Sequence, residues 1–125
     1  MSDILESAVE YMLLIYHNEE ETLRRTEAEK QRIFGEFAAF TQEVMKSGHR
    51  KAGAPLEFTP TAATVRVRDG KTMVTDGPFA ETKEQLGGYV LVEAKDLDEA
   101  ISIAARIPSS KYGSTEVRPV VKINM

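Results

Sequence analysis

Apolar and polar positions change their spacing several times along the chain, and these changes predict the order of strands and helices. The apolar, partly aromatic run at 11–16 is short and ends in polar residues, which predicts a buried strand. From 26 to 48 the apolar positions recur at helical spacing instead, and Thr26 with Glu29 is a capping-box signature at the start of that helix. A second strand is expected to follow the helix and to run through to Phe58.

The predicted long helix carries a large aromatic face. This face is either part of the hydrophobic core or the lining of a ligand pocket, and the sequence alone is compatible with both. The positions concerned are Ile33, Phe34, Phe37, Ala38, Thr41, Val44 and Met45, with Phe40 nearby.

A β-hairpin is predicted in the middle of the chain. Residues 64–68 alternate between polar and apolar side chains, and Asp69-Gly70 is a preferred sequence for a two-residue type I′ turn. Counting across this turn pairs Arg68 with Lys71, so one face of the hairpin carries valines and the other carries cations. The cationic face could hold an anionic ligand, or it could simply be solvated. The valines are Val65, Val67 and Val74, and the cations are Arg66, Arg68 and Lys71.

The pattern after the hairpin predicts a loop, a strand, a helix and a last strand. The segment 75–88 is rich in turn residues and charges, and the apolar run at 89–94 reads as an interior strand. A second capping box starts at Asp96, and Pro108 ends the helix that follows it. The final strand is expected at 115–123.

The predicted order is therefore strand, helix, strand, hairpin, strand, helix, strand. This order is typical of the α+β class, as a ferredoxin-like split β-α-β repeat with an inserted β-hairpin. Such a fold places both helices on one face of an antiparallel sheet, and a second copy would cover the other face most simply. We therefore expect a homodimer formed through sheet packing. Residues 11–125 are expected to form this single domain, after a short N-terminal leader at 1–10.

Composition and charge exclude several classes of function. The 125-residue chain has no cysteine, which excludes disulfide scaffolds, Cys-ligated metal sites and thiol nucleophiles. Its 20 acidic and 16 basic residues give a net charge of −4, which argues against direct binding of nucleic acid. The run at 11–16 is too short to cross a membrane, so we expect a cytoplasmic protein. Because phosphate-binding glycine loops and metal-ligand spacing are both missing, no cofactor or metal is expected.

The middle of the chain carries a distinctive motif. Residues 64–71 and 74–89, which include Asp76-Gly77-Pro78-Phe79, closely resemble the DGPF-domain branch of the YCII-related proteins. The resemblance implies a dimeric ferredoxin-like α/β barrel. It also implies an association with extracytoplasmic-function sigma factors, because genes of this branch often lie beside theirs. A related YCII protein is a dehydrochlorinase that acts on a chlorinated aromatic diol, and the family is associated with a His–Asp pair proposed as catalytic.

Asp76 is the aspartate that the motif offers for such a pair, and topology selects the histidine. In a split β-α-β fold the end of the first strand and the loop after Asp76 lie at the same end of the sheet, which favours His17 over His49. Asp76 would act as a general base or orient the imidazole; alternatively, its carboxylate only caps its own turn. The ligand-binding residues predicted around this end are Tyr16, Phe79, Glu81, Lys83, Glu84 and Tyr89.

Two functions are compatible with these residues. The first is a small-molecule-binding protein that performs acid–base chemistry of the lyase or isomerase kind on a small polar or aromatic substrate. The second is a non-enzymatic regulatory or interaction module associated with sigma factors. In the same region Gly87-Gly88 indicates a close backbone approach, either to a neighbouring chain or to a ligand. A deep apolar cleft that holds His17, or the His49 of a second copy, within hydrogen-bond reach of Asp76 would favour the first function.

Overall fold

The structure, a computed structural model, describes residues 8–123. Six strands and three α-helices are formed, with two short 3-10 turns at Thr59–Thr61 and Pro108–Lys111. The strands are β1 (Val9–His17), β2 (Arg50–Pro55), β3 (Ala63–Arg68), β4 (Lys71–Asp76), β5 (Gln85–Ala94) and β6 (Ser114–Pro119). The helices are α1 (Glu19–Arg24), α2 (Glu27–Lys46) and α3 (Leu97–Ala105). No helix among the described residues is long and apolar enough to span a membrane.

Four strands form one antiparallel sheet in the order β2-β5-β1-β6. Because β1 and β2 both run antiparallel to β5, they point in the same direction, as a split β-α-β unit requires. The mixed architecture of antiparallel sheets and helices is consistent with the predicted ferredoxin-like α+β class.

The core lies on the helical face of this sheet. Along β1, Tyr11, Leu13 and Ile15 are buried, whereas Met12 and Leu14 between them are only partly buried. Both long helices contribute to the same cluster, so they pack on the same face of the sheet. The other buried members of the cluster are Phe40, Val44, Val92, Ala94, Ala100, Ile103, Ala104 and Ile107.

Helix α2 begins and ends where the sequence predicts. The Thr26 hydroxyl accepts from the Glu29 N–H at 3.1 Å, and the Glu29 carboxylate accepts from the Thr26 N–H at 2.9 Å, which confirms the capping box. The predicted apolar stripe is only partly correct, because Phe34 and Met45 are exposed. Phe40, which lies beside the predicted stripe, is buried instead.

Several element boundaries differ from the predictions. Strand β2 ends at Pro55 instead of Phe58, because the chain leaves the sheet after one further bond from the Leu56 N–H to Gly87 O and turns into a 3-10 helix. Strand β6 ends at Pro119 instead of Ile123, with one further bond from the Val120 N–H to Glu10 O at 2.9 Å. Helix α1 was not predicted.

The starts of β1 and β5 also differ from the predictions. Strand β1 begins at Val9, so the last two residues of the predicted leader belong to the sheet, and residues 1–7 lie outside the described part of the chain. Strand β5 already begins at Gln85, in the segment predicted as a loop.

Strands β3 and β4 pair with each other in a separate two-stranded sheet. Asp69 and Gly70 both have positive φ, 52° and 74°, as a type I′ turn requires, and Arg68 pairs with Lys71. The valine face is largely solvent-exposed in the single chain, with Val65 and Val74 at 60% and 64%.

Candidate active-site cavity

A cavity of about 770 Å³ opens between α2 and the part of the sheet formed by β2 and β5. Its helical wall is aromatic, since Phe34, Phe37 and Phe40 all contribute to it. The aromatic helix face contributes both to the core and to a cavity, because Phe40 belongs to the core cluster as well as to the cavity wall. The volume lies within the range of sites that hold small molecules.

His17 is the last residue of β1, and it lies in the cavity wall. Its Nδ1 is 2.8 Å from the Thr22 hydroxyl, which itself donates its single proton to Asn18 O at 3.0 Å. With the hydroxyl proton on Asn18 O, the Thr22 oxygen accepts from His17, and we therefore assign the proton to Nδ1 and the lone pair of a neutral imidazole to Nε2.

Burial supports this neutral state. The pKa of His17 is lowered below 6.5, chiefly because desolvation penalises the charged ring. Glu19 and Glu84 oppose this shift through their charges, while Arg25 adds to it. The imidazole is thus uncharged at neutral pH, as a general base must be.

Gly87 provides the space in which the imidazole lies. A Cβ at this position would come within 2.5 Å of both Cδ2 and Nε2 of His17. The register of β1 against β5 shifts at the same point, between Ile15 and Tyr16, which is the mark of a β-bulge. On another side the ring of Phe58 lies with its centroid 5.8 Å from that of His17. The close approach predicted at Gly87 is therefore to a side chain of the same chain.

Asp76 lies away from this arrangement. It ends β4 as an exposed residue, outside the cavity wall, and its carboxylate makes no hydrogen bond or ion pair within residues 8–123. The turn after it is held by other groups: the Gly77 N–H donates to Ala62 O at 2.7 Å, and the Thr64 hydroxyl donates to Gly77 O at 2.8 Å. The structure thus shows neither a His17–Asp76 contact nor an Asp76 side-chain cap.

Of the two predicted tyrosines, only Tyr89 contributes to the cavity wall. Tyr16 and His17 are consecutive in β1, so their side chains alternate to opposite faces of the sheet. The Tyr16 hydroxyl donates to Glu116 on β6 at 3.4 Å and does not contribute to the cavity wall, whereas Tyr89 does.

The loop between β4 and β5 also lies outside the cavity wall. Phe79 is 79% exposed, and Glu81 is exposed too. Lys83 and Glu84 sit at the expected end of the sheet: Lys83 O accepts from the Asn18 amide at 3.2 Å, and the Glu84 carboxylate accepts from the Ser114 hydroxyl at 2.8 Å. This half of the loop acts on His17 only through the charge of Glu84.

His49 lies at the opposite end of the sheet, as the topology predicts. Its Nε2 is 3.3 Å from the Glu99 carboxylate, and its carbonyl accepts from the Glu93 N–H at 2.8 Å. A smaller cavity of about 240 Å³ lies there and includes all three residues.

Six polar residues of the large cavity were not found from sequence. They are Thr22, Arg25, Lys30, Gln42, Arg50 and Ser109. A signal existed for the first two, because Asn18 followed by three glutamates is a helix start with its N-cap and acidic first turn. Arg50 and Ser109 reach the cavity only through long-range packing.

Comparison with known proteins agrees with the motif found in the sequence. A family model described as the YCII-related domain matches residues 9–124. The chain is also similar to an uncharacterized protein of Rhizobium meliloti (strain 1021), with 38% identity over 112 residues, which covers 88% of this chain and 90% of the relative. The chain belongs to the YCII-related family.

Proposed function

We propose that this protein binds a small polar or aromatic molecule in the cavity beside α2 and removes a proton from it with His17. The observation that carries the proposal is the imidazole of His17 in the wall of an apolar cavity, with its Nδ1 held 2.8 Å from the Thr22 hydroxyl. Proton removal from carbon is the first step of many lyase and isomerase reactions. A well-placed general base contributes roughly 10²- to 10⁴-fold to such a step.

The proposed base works with Thr22 and not with Asp76. The Thr22 hydroxyl fixes the tautomer of His17, which is the task an aspartate performs in a His–Asp pair. An uncharged partner does not stabilise the imidazolium, so the base is weaker but stays deprotonated at neutral pH. Nε2 is then the atom that takes the substrate proton.

A ligand screen followed by a proton-exchange assay tests this proposal. Small acids and phenols are screened by thermal shift, since a ligand of the folded state raises its apparent stability. Each binder is then incubated in D₂O, and loss of its carbon-bound protons is followed by NMR. We expect wild type to catalyse exchange, His17→Gln to lose at least about 100-fold in rate, and His49→Gln to match wild type.

The outcomes separate the two candidate functions. Binding without exchange, or exchange that His17→Gln leaves intact, contradicts the catalytic proposal. Absence of any binder favours the alternative function, a regulatory module associated with extracytoplasmic-function sigma factors. Co-purification of the chain with such a factor would then be the measurement to make.

The sheet face opposite the helices supports a homodimer. Met12 and Leu14 of β1 and Leu91 of β5 lie there, partly exposed in the single chain. Charged groups border this apolar strip, including Lys51, whose ammonium lies 2.8 Å from the Glu93 carboxylate. An apolar centre with a polar rim is typical of protein interfaces. Two such faces packed together would form the dimeric α/β barrel that the resemblance implies.

Sedimentation velocity tests the dimer. Leu14→Glu places a charge in the strip and should shift the protein towards monomer, whereas Val121→Glu, at a position 78% exposed outside the sheet, should not. Equal sedimentation of wild type and Leu14→Glu would argue against this interface. From the Asp76-Gly77-Pro78-Phe79 motif we further propose that the chain belongs to the DGPF branch. From the absence of cysteine and the short apolar run at 11–16 we propose that it works in the cytoplasm, and co-migration with a cytoplasmic marker on cell fractionation checks the location.

A further inference from the structure

The wall of the cavity has an unusual charge distribution. Arg25, Lys30 and Arg50 contribute to it, and it contains no aspartate or glutamate within residues 8–123. The whole chain is acidic, with 20 acidic against 16 basic residues. The basic residues of the otherwise apolar cavity wall therefore form a local positive region in a chain whose net charge is negative. This region favours an anionic ligand.

Arg50 is a cation of this wall that has no carboxylate partner among the described residues. Its neighbours in sequence are paired with glutamates: His49 with Glu99, and Lys51 with Glu93. Arg50 instead donates from Nη2 to Gly53 O at 3.1 Å and has no carboxylate within ion-pair distance in the described chain. A guanidinium offers five N–H donors, so most of them remain for a bound group. Its planar fork matches a carboxylate, which it binds through two parallel hydrogen bonds.

A second polar group of the wall also lacks a partner. Ser109 is only 9% exposed, and its hydroxyl makes no hydrogen bond within residues 8–123. Burying an unpaired hydroxyl is unfavourable, and such groups in native proteins commonly mark a bound ligand or water. The cavity wall thus has two groups with free hydrogen-bond donors: the charged guanidinium of Arg50 and the neutral hydroxyl of Ser109.

The spacing between Arg50 and His17 limits the size of the ligand. The guanidinium bonds Gly53, which is paired with Val90 of β5, whereas the imidazole lies against Gly87. Three residues of a strand span about 10 Å. A ligand that touches both groups therefore spans roughly this distance, as a small molecule does.

We infer that the ligand is a small monocarboxylic acid with an aromatic or branched apolar body. Its carboxylate binds Arg50, its body packs on the phenylalanines of α2, and its reacting carbon faces Nε2 of His17. This inference rests on the proposed function, because it assumes that the same cavity is the binding site.

Calorimetric titration with three probes of similar shape tests the charge requirement. Phenylacetate carries the carboxylate, 2-phenylethanol is neutral, and phenethylamine is cationic. We expect phenylacetate to bind at least about tenfold more tightly than the alcohol, since a hydrogen bond to a charged group has about this effect. The amine should bind most weakly.

Variants assign the effect to Arg50. Arg50→Gln should weaken the binding of phenylacetate at least about tenfold and leave the binding of 2-phenylethanol unchanged. The affinity of Arg50→Lys for phenylacetate should lie between those of Arg50→Gln and wild type, because lysine keeps the charge but not the bidentate geometry. Arg66→Gln is the matched control, since Arg66 is an exposed cation of the hairpin outside the cavity wall. Circular dichroism confirms that each variant is folded.

The results distinguish this inference from the proposed function. If the alcohol binds as tightly as the acid, or if Arg50→Gln and Arg66→Gln weaken the acid equally, the carboxylate inference is wrong and the cavity still binds ligands. If neither these probes nor any compound of the wider screen binds, both the inference and the proposed function fail.

Discussion

Substitution of Gly87 by alanine gives the sharpest test of how His17 is held. A methyl group at this position would lie 2.5 Å from Cδ2 and Nε2 of the imidazole, well inside van der Waals contact. The backbone itself accepts the change, since Gly87 is not among the glycines with positive φ. The ring cannot give way freely, because its Nδ1 is bonded to Thr22 and its face lies near Phe58.

The expected cost combines two effects. Displacing the ring breaks the His17–Thr22 hydrogen bond, which is worth about 1 kcal/mol. Fitting an extra methyl group into a filled space costs about 1–3 kcal/mol. Alanine lowers the conformational entropy of the unfolded chain relative to glycine, which offsets the loss of stability by about 0.4–1 kcal/mol. Gly87→Ala should therefore lower the free energy of unfolding by about 2 kcal/mol.

A double-mutant cycle in urea isolates the contact. In a His17→Ala background the ring is gone, so Gly87→Ala should be almost neutral, and the cycle should give a coupling energy of about 2 kcal/mol. Gly35→Ala is the control, because nothing lies within 4 Å of a Cβ there, and it should stabilise helix α2 by about 0.5–1 kcal/mol. If Gly87→Ala costs the same with and without the imidazole, the ring does not occupy the space that Gly87 leaves.

Two further predictions concern the capping box and the charge state of His17. Thr26→Ala should lower the free energy of unfolding by about 1 kcal/mol in urea, whereas Thr26→Ser should keep it near wild type; equal losses would mean that the side-chain cap does not matter. The lowered pKa of His17 predicts that stability falls with decreasing pH. Below 6.5 the unfolded chain binds the proton first, so wild type should lose stability relative to His17→Gln until the folded-state pKa is passed. A gain relative to His17→Gln over this window would contradict the neutral imidazole.

The fold was predictable wherever a local rule decides the structure. The capping box fixes the start of α2, and the Asp69-Gly70 turn determines the register of β3 against β4. Helix α1 was not predicted, because it is six residues long and buries no side chain, so its sequence shows no apolar periodicity. Its only local signal is the Asn18 cap with the acidic turn behind it.

The sequence predicts at which end of the sheet the site residues lie, but it does not predict on which face of the sheet their side chains lie. Topology correctly placed His17 near the loop before β5, as the bond between Asn18 and Lys83 shows. It does not say which side chains point the same way, and Tyr16 lies on the opposite face from His17. Arg50 could not be recognised from the sequence, because its role depends on α2 covering β2 across a cavity.

The paired glycines connect the local and long-range features of the site. Gly88 lies against the backbone of β2, where a Cβ would meet Ala54 O at 3.1 Å, and this close approach holds the sheet edge that borders the cavity. Gly87, one residue earlier, leaves the space for His17, and the strand register shifts there. One dipeptide therefore shapes both the wall that binds the ligand and the position of the proposed base. Because these effects come from adjacent residues, a side chain at either glycine should disturb binding and proton removal together.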